Sequence, residues 1–312
     1  MLKFIILFSF LLPFYTSAQD ENPKRLGIIL ESALGLNTNP SQENVAETNF
    51  QRSGKGQGQN TYLSKTDLEI QLAAKAHYKA IKTDTFTLHT NYDYFRESYL
   101  KKTEENYNSH DFFFPVNLYT KTYRFELTPS YSYLTLNNTP YQSKTGIEGR
   151  ATTRFDSFDF TIFSSLTQVN ALDTNYSFES GNVKKLGAEF SAPWEDNEFM
   201  LTSSVEQSDN NDELGKIASY NAFSITPSFS ISSNKWEHHL EVSYTQKNYN
   251  GNASDNSQRL DHLIIAQYKP SYFLTKEISL FIDVRYSKNN SNISLEEYTQ
   301  FITLLGFTWF AF

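Results

Sequence analysis

The sequence predicts an all-β chain: a transmembrane, antiparallel, up-and-down β-barrel of about fourteen strands, with twelve and sixteen as the neighbouring counts. Three observations predict it. Apolar and polar residues alternate with a period of two from Leu26 to the end of the chain, the pattern of strands with one apolar and one polar face. The alternating segments run for roughly 11–16 residues, well beyond the usual five or six of a soluble strand, and tilted membrane strands need such a length. Finally, the connections alternate between short and long, as the two ends of a membrane barrel do.

In chain order the predicted strands are 26–36, 64–79, 84–97, 108–120 and 122–136, then 143–155, 157–169, 178–191 and 197–207, then 217–232, 235–248, 259–271, 276–288 and 297–311. The fifth shows the alternation cleanly. Tyr123, Phe125, Leu127, Tyr131 and Tyr133 share one face, with Arg124, Glu126, Thr128, Ser130 and Ser132 on the other. The tenth sets Phe223, Ile225, Phe229 and Ile231 against Ser224, Thr226, Ser228 and Ser230. The thirteenth sets Ile278, Leu280, Ile282, Val284 and Tyr286 against Ser279, Asp283 and Arg285.

The polar faces carry charges of both signs. Asp67, Glu69, Lys75 and His77 line the second strand; Glu148, Arg150 and Arg154 the sixth; Glu237, His239 and Glu241 the eleventh. A soluble sandwich or lipocalin-like barrel would turn its apolar face inward. Here the charged face is the one to enclose, which predicts a wet, ion-paired interior. The candidate lumen-lining residues are Arg124, Glu126, Glu148, Arg150, Arg154, Glu189, Glu241, Asp283 and Arg285.

The short connections are 81–83, 121, 156, 193–196, 233–234 and 273–275, and the long polar ones are 37–63, 98–107, 137–142, 170–177, 208–216, 249–258 and 289–296. An even strand count puts both termini on the short-turn side. Aromatic residues mark the interfaces: Tyr92, Tyr94, Phe95 and Tyr99 toward one end of the third strand, and Trp194, Trp236, Tyr272 and Trp309 near short turns.

Composition narrows the class. The 312 residues hold 27 Lys+Arg against 35 Asp+Glu, a formal charge of −8, and no cysteine. An acidic chain without a basic patch predicts no nucleic-acid partner, and the lack of cysteine excludes disulfides, zinc-thiolate sites and a lipidated N-terminal cysteine. Aromatic residues make up 16%, too many for a disordered chain. Residues 1–18 combine Lys3, an apolar stretch over 4–15 and Thr16-Ser17-Ala18. This is the layout of a secretory signal peptide cleaved before Gln19, too short to span a bilayer as a helix. Residues 19–25 then form a short periplasmic segment and 26–312 the barrel.

Candidate chemistry is sparse. The six histidines are His77, His89, His110, His238, His239 and His262. His89, Asn91 and Asp93 share a strand face with no evident nucleophile. Adjacent His238 and His239 point to opposite faces and cannot form a metal pair. The glycine-rich run 54–58 lacks the Lys-Ser/Thr of a phosphate loop, and the acidic stretch 209–213 lacks EF-hand spacing. No catalytic, cofactor-binding or metal-ligating residues are predicted, and no enzyme activity.

The last ten residues, 303–312, end on Phe312, with Phe310, Leu304 and Ile302 on its face. This ending resembles the assembly signal of bacterial outer-membrane β-barrel proteins. The resemblance implies an outer-membrane location, with the membrane lipids and the barrel-assembly machinery as partners, the latter through Phe310 and Phe312. Gly35-Leu36-Asn37-Thr38-Asn39-Pro40 and Leu136-Asn137-Asn138-Thr139-Pro140-Tyr141 resemble segments in the fourteen-stranded barrel domain of the surface lipoprotein assembly modifiers. The helical-repeat domain of that family is absent, so only the barrel is implied. The expected function is a channel or transport barrel for small polar solutes or an exported substrate. A structural barrel acting through its surface loops is the alternative, and a barrel-embedded hydrolase the third.

Overall fold

The structure, a computed structural model, describes residues 26–39, 66–174, 179–210, 219–252, 258–293 and 296–311. The signal segment 1–18, the segment 19–25, the run 54–58 and Phe312 lie outside the described residues, as do most of 37–63 and residues 211–213 of the acidic stretch.

The period-two alternation becomes fifteen strand segments: β1 (Leu26–Asn37), β2 (Asp67–Lys82), β3 (Phe86–Tyr99), β4 (Tyr107–Phe113), β5 (Val116–Tyr119), β6 (Tyr123–Leu136), β7 (Thr139–Arg154), β8 (Asp159–Ala171), β9 (Gly181–Trp194), β10 (Asn197–Asn210), β11 (Tyr220–Ser233), β12 (Trp236–Asn252), β13 (Gln258–Phe273), β14 (Ile278–Ser291) and β15 (Tyr298–Ala311). Each pairs antiparallel with its neighbours. β1 pairs with β15 from Ile28↔Ala311 to Asn37↔Ile302, which closes the sheet and removes both edges. β4 and β5 occupy one place between β3 and β6, so the wall is fourteen strands round. Pro115, which has no N–H to give the ladder, separates the two segments. The wall holds there because Phe114 N donates to Pro129 O and His89 N to Pro115 O, both at 3.0 Å.

Alternation sorts the side chains into two surfaces. On β14, Leu280 is 44% exposed and Phe281 2%, and the same contrast runs round the barrel. The outward surface is apolar: Leu30, Leu34, Leu127, Ile162, Leu186, Phe229, Leu240, Ile282 and Leu305 are exposed. On β12 the outward positions Trp236, His238, Leu240, Val242 and Tyr244, with His238 hydrogen-bonded to the Tyr268 hydroxyl, give way to Gln246 and Asn248. Those steps cover ~26 Å along the strand, or ~20 Å of membrane depth after a barrel's usual tilt. A belt of that height cannot face water. The barrel spans a membrane, with Trp194, Trp236 and Trp309 exposed near the short-turn end, where aromatic residues meet the interface.

The structure corrects two sequence expectations. Residues 137–142 are not a long loop. Asn137 and Asn138 alone form the turn, with φ of 50° and 60°, the left-handed pair that a two-residue hairpin requires. β7 therefore begins at Thr139. The predicted girdle on the third strand splits by parity. Tyr92 and Tyr94 face outward around His110, whereas Phe95 packs inside with Tyr107, Leu134 and Tyr141, and Tyr99 is buried. Adjacent strand residues cannot share a face. The segment after β3 holds one 3-10 turn, Thr103–Glu105, and the Asp67 carboxylate accepts from the backbone N–H of Lys101 and Lys102 at 2.8 and 2.7 Å.

Candidate functional site

The polar interior is the candidate site, and its two sides differ. On β6, β7 and β9, Arg150 Nη2 lies 2.9 Å from Glu189 Oε2 and Nη1 3.3 Å from Glu148 Oε1. Arg124 Nη2 lies 3.7 Å from Glu126 Oε2, and its Nε is buried without a hydrogen-bond partner. These five side chains face inward yet keep 20% to 36% of their surface accessible. Beneath them Phe163 lies against Gly187, where a Cβ would come within 2.3 Å of the ring's Cζ, and the Arg150 guanidinium stands 5.4 Å from the ring centroid. Arg154, the last residue of β7, sits at the short-turn rim, 3.8 Å from Asp159 and 56% exposed.

On the opposite side, β12 to β15 and β1 to β3, the carboxylates of Asp283, Asp67 and Glu69 are sealed, while Arg285 keeps 33% and Glu31 30% of their surface. Asp283 is 1% exposed; it pairs with Arg285 and accepts from Gln267 Nε2 at 2.9 Å. Glu241 is also buried. Lys269 Nζ reaches from β13 to Glu31 Oε2 on β1 at 2.9 Å, passing 4.1 Å from the centroid of Phe281. Toward the long-loop end, Glu69 is fully buried. It accepts from Asn37 Nδ2 at 2.8 Å and from Gln71, while Tyr99 donates to neighbouring Glu97. Away from bulk water Asp283, Glu69, Lys269 and Glu31 are each held by a charged or hydrogen-bonding partner. At the same end, Arg259 pairs with Asp261 and, at 3.0 Å, with Glu296, and lies 4.2 Å from the Tyr249 ring.

Thus the structure brings Arg150, Glu148 and Glu189 into one cluster, pairs Arg124 with Glu126 and Asp283 with Arg285, and leaves Arg154 at the rim. Sequence reading missed Glu31, Lys247, Arg259, Asp261 and Lys269 as interior groups. Their parity on β1, β12 and β13 was the available signal. Histidines divide likewise: His77, His89 and His239 face inward, while His110, His238 and His262 face outward and meet Tyr92, Tyr268 and Tyr244 hydroxyls at 2.9, 2.9 and 2.8 Å. Among the described residues no group of three or more His, Asp or Glu stands close enough to hold a metal ion.

No family model matches the chain, and no curated protein matches it. Solved structures do. OmpT, an outer membrane protein of Vibrio cholerae, gives a TM-score of 0.48 at 6% identity, over 94% of this chain and 100% of its own. A BenF-like porin from Pseudomonas fluorescens Pf-5 gives 0.47 at 7% identity, over 92% and 98%. OprB of Pseudomonas putida gives 0.48 at 8% identity, over 92% and 94%. None of the three is a surface lipoprotein assembly modifier.

Proposed function

We propose that the protein is an outer-membrane channel or transport barrel that passes small polar solutes along the β6–β10 side of its interior, with a preference for cations. One observation carries this reading. The charged side chains of β6, β7 and β9, carboxylates included, face inward and retain accessible surface, whereas the carboxylates of Asp283 on β14 and of Asp67 and Glu69 on β2 are sealed by packing, Arg285 alone of the Asp283–Arg285 ion pair keeping 33%. Partly hydrated ion pairs mark where water enters, because charges of this density are retained only against water or tight partners. A fourteen-strand barrel lies between eight strands, which side chains fill, and sixteen, which leave an aqueous channel. An off-centre passage beside a packed wall is consistent with that size.

The cation preference follows from the potential of the wall opposite that passage. Glu31, Asp67, Glu69, Asp93 and Glu97 take inward positions on β1, β2 and β3 against Lys75, Lys79 and Lys82, the last two paired in register with inward His89 and Thr87. An excess of inward carboxylates lowers the potential inside and favours cations. The outer membrane is the fitting location for a closed barrel whose short turns and strand termini share one end, with β15 as the strand that the assembly machinery would receive.

Planar-bilayer recording of purified, heat-modifiable barrel tests the reading. Small, salt-dependent, cation-preferring conductance is expected. Folded protein that conducts nothing, with or without residues 40–65, would replace the channel with a structural barrel acting through its loops.

A further inference from the structure

His77 on β2 and His89 on β3 meet inside the barrel near its short-turn end. His77 pairs in register with Gly27, the second residue of β1, and its side chain is exposed, while His89 is buried against the wall. Their rings stand 4.8 Å apart between centroids, and His77 Nε2 lies 3.1 Å from His89 Nδ1. Each outer nitrogen is already held. His77 Nδ1 lies 2.6 Å from Asn91 Oδ1, and His89 Nε2 lies 3.1 Å from Thr87 Oγ1. Thr87 Oγ1 in turn lies 3.4 Å from the Tyr119 hydroxyl.

This geometry constrains the protons. Asn91 Oδ1 is an acceptor only, so His77 Nδ1 carries the hydrogen and Nε2 presents a lone pair. In the metal-free chain, His89 Nδ1–H donates to that lone pair and Thr87 donates to His89 Nε2. The inner proton can instead move to Nε2. Thr87 then accepts from His89 and turns its own hydrogen toward Tyr119. Two lone pairs now face each other across 3.1 Å. That gap matches two imidazole ligands on one ion: metal–nitrogen bonds of ~2.0–2.1 Å give about 2.9 Å in a cis square-planar site and about 3.3 Å in a tetrahedral one.

We propose that His77 and His89 form a two-imidazole site for a divalent transition metal such as Zn²⁺ or Cu²⁺, open to solvent at the short-turn mouth of the barrel, with water completing the coordination. Asn91 and Thr87 act as the outer partners that fix each ring's tautomer and orientation, the usual role of groups bonded to the far nitrogen of a ligating histidine. Binding moves one proton from Nδ1 to Nε2 of His89 and displaces none from the neutral pair. The inference is independent of conduction. Lys79, the register partner of His89, is the positive charge that opposes the ion.

The test is calorimetric titration of the untagged, folded barrel in detergent with Zn²⁺ alone. One ion per barrel is expected. His77→Ala and His89→Ala should each weaken that binding by at least roughly tenfold, while His238→Ala, on the outer face, leaves it unchanged. Asn91→Asp keeps both ligands and supplies a stronger acceptor to His77 Nδ1, so it should tighten binding by roughly tenfold. This variant serves if either alanine barrel fails to fold. Absence of saturable binding, equal binding by the His77→Ala and parent barrels, or no tightening in folded Asn91→Asp would overturn the site.

Discussion

At Gly306 the backbone of β15 passes directly under the ring of Phe281. A Cβ there would come within 2.4 Å of Phe281 Cζ and 2.5 Å of the Ser32 carbonyl oxygen. The ring cannot swing away freely, because Lys269 Nζ lies 4.1 Å from its centroid and is tied to Glu31. Gly187 under Phe163, with Arg150 beyond the ring, repeats the arrangement across the barrel. An inward aromatic ring thus covers a strand glycine and carries a cation on top, a device that also pins register. Gly306→Ala is expected to lower unfolding stability by about 1–3 kcal/mol through overpacking, and Phe281→Ala by about 3–5 kcal/mol through the cavity it leaves. Since both act on one contact, the double variant should cost less than the sum. Urea unfolding in lipid vesicles measures all three, and strict additivity would mean that ring and glycine do not share the joint.

β11 offers the sharpest test of which face meets lipid. Ile225 is exposed on the outer belt, and Thr226 is buried inside, its hydroxyl donating to Ser243 Oγ at 3.0 Å. Ile225→Arg puts a guanidinium into hydrocarbon at about 2–4 kcal/mol near the midplane. Thr226→Arg sends the same group toward the buried carboxylate of Glu241 on β12. The first should deplete heat-modifiable folded barrel and the second should assemble; equal yields would mean a one-residue register error. For β15, which must be recognised and then paired with β1, deletion of Phe312 is expected to reduce the amount in the outer membrane, and an undiminished level would count against the C-terminal signal. Faces of this kind were legible in the sequence because a period of two survives any choice of partner. Partners were not: Lys269 on β13 and Glu31 on β1 meet only once β1 has closed on β15, which leaves them three pairings apart. Asn137-Asn138 read as loop because its neighbours are polar, yet the two asparagines are what lets the chain reverse in two residues. Phe95 and Tyr99 were assigned to a girdle by residue type, where parity alone would have placed them inside.

Across the whole molecule the interior divides into a more packed half, where Asp283, Glu69 and Glu241 are sealed, and a more hydrated half, and ion selectivity reports which half carries current. Arg150 sits between Glu148 and Glu189 and compensates both. Arg150→Ser leaves two carboxylates uncompensated on the accessible wall, so the potential there falls and cations gain over anions. Arg154→Ser removes the same formal charge at the rim, from a group 56% exposed and only 3.8 Å from Asp159, where bulk ions screen it. The cation-to-anion permeability ratio, read from the reversal potential in a KCl gradient, should rise clearly for Arg150→Ser and little for Arg154→Ser. Screening adds a second signature, since the Debye length shrinks from about 10 Å at 0.1 M to about 3 Å at 1 M. The Arg150 effect should therefore be largest in dilute salt and fade in concentrated salt, with single-channel conductance changing far less than selectivity. If Arg150→Ser leaves the ratio unaltered at 0.1 M while Asp283→Asn shifts it, current runs along the β12–β15 side, and the packed half is the passage.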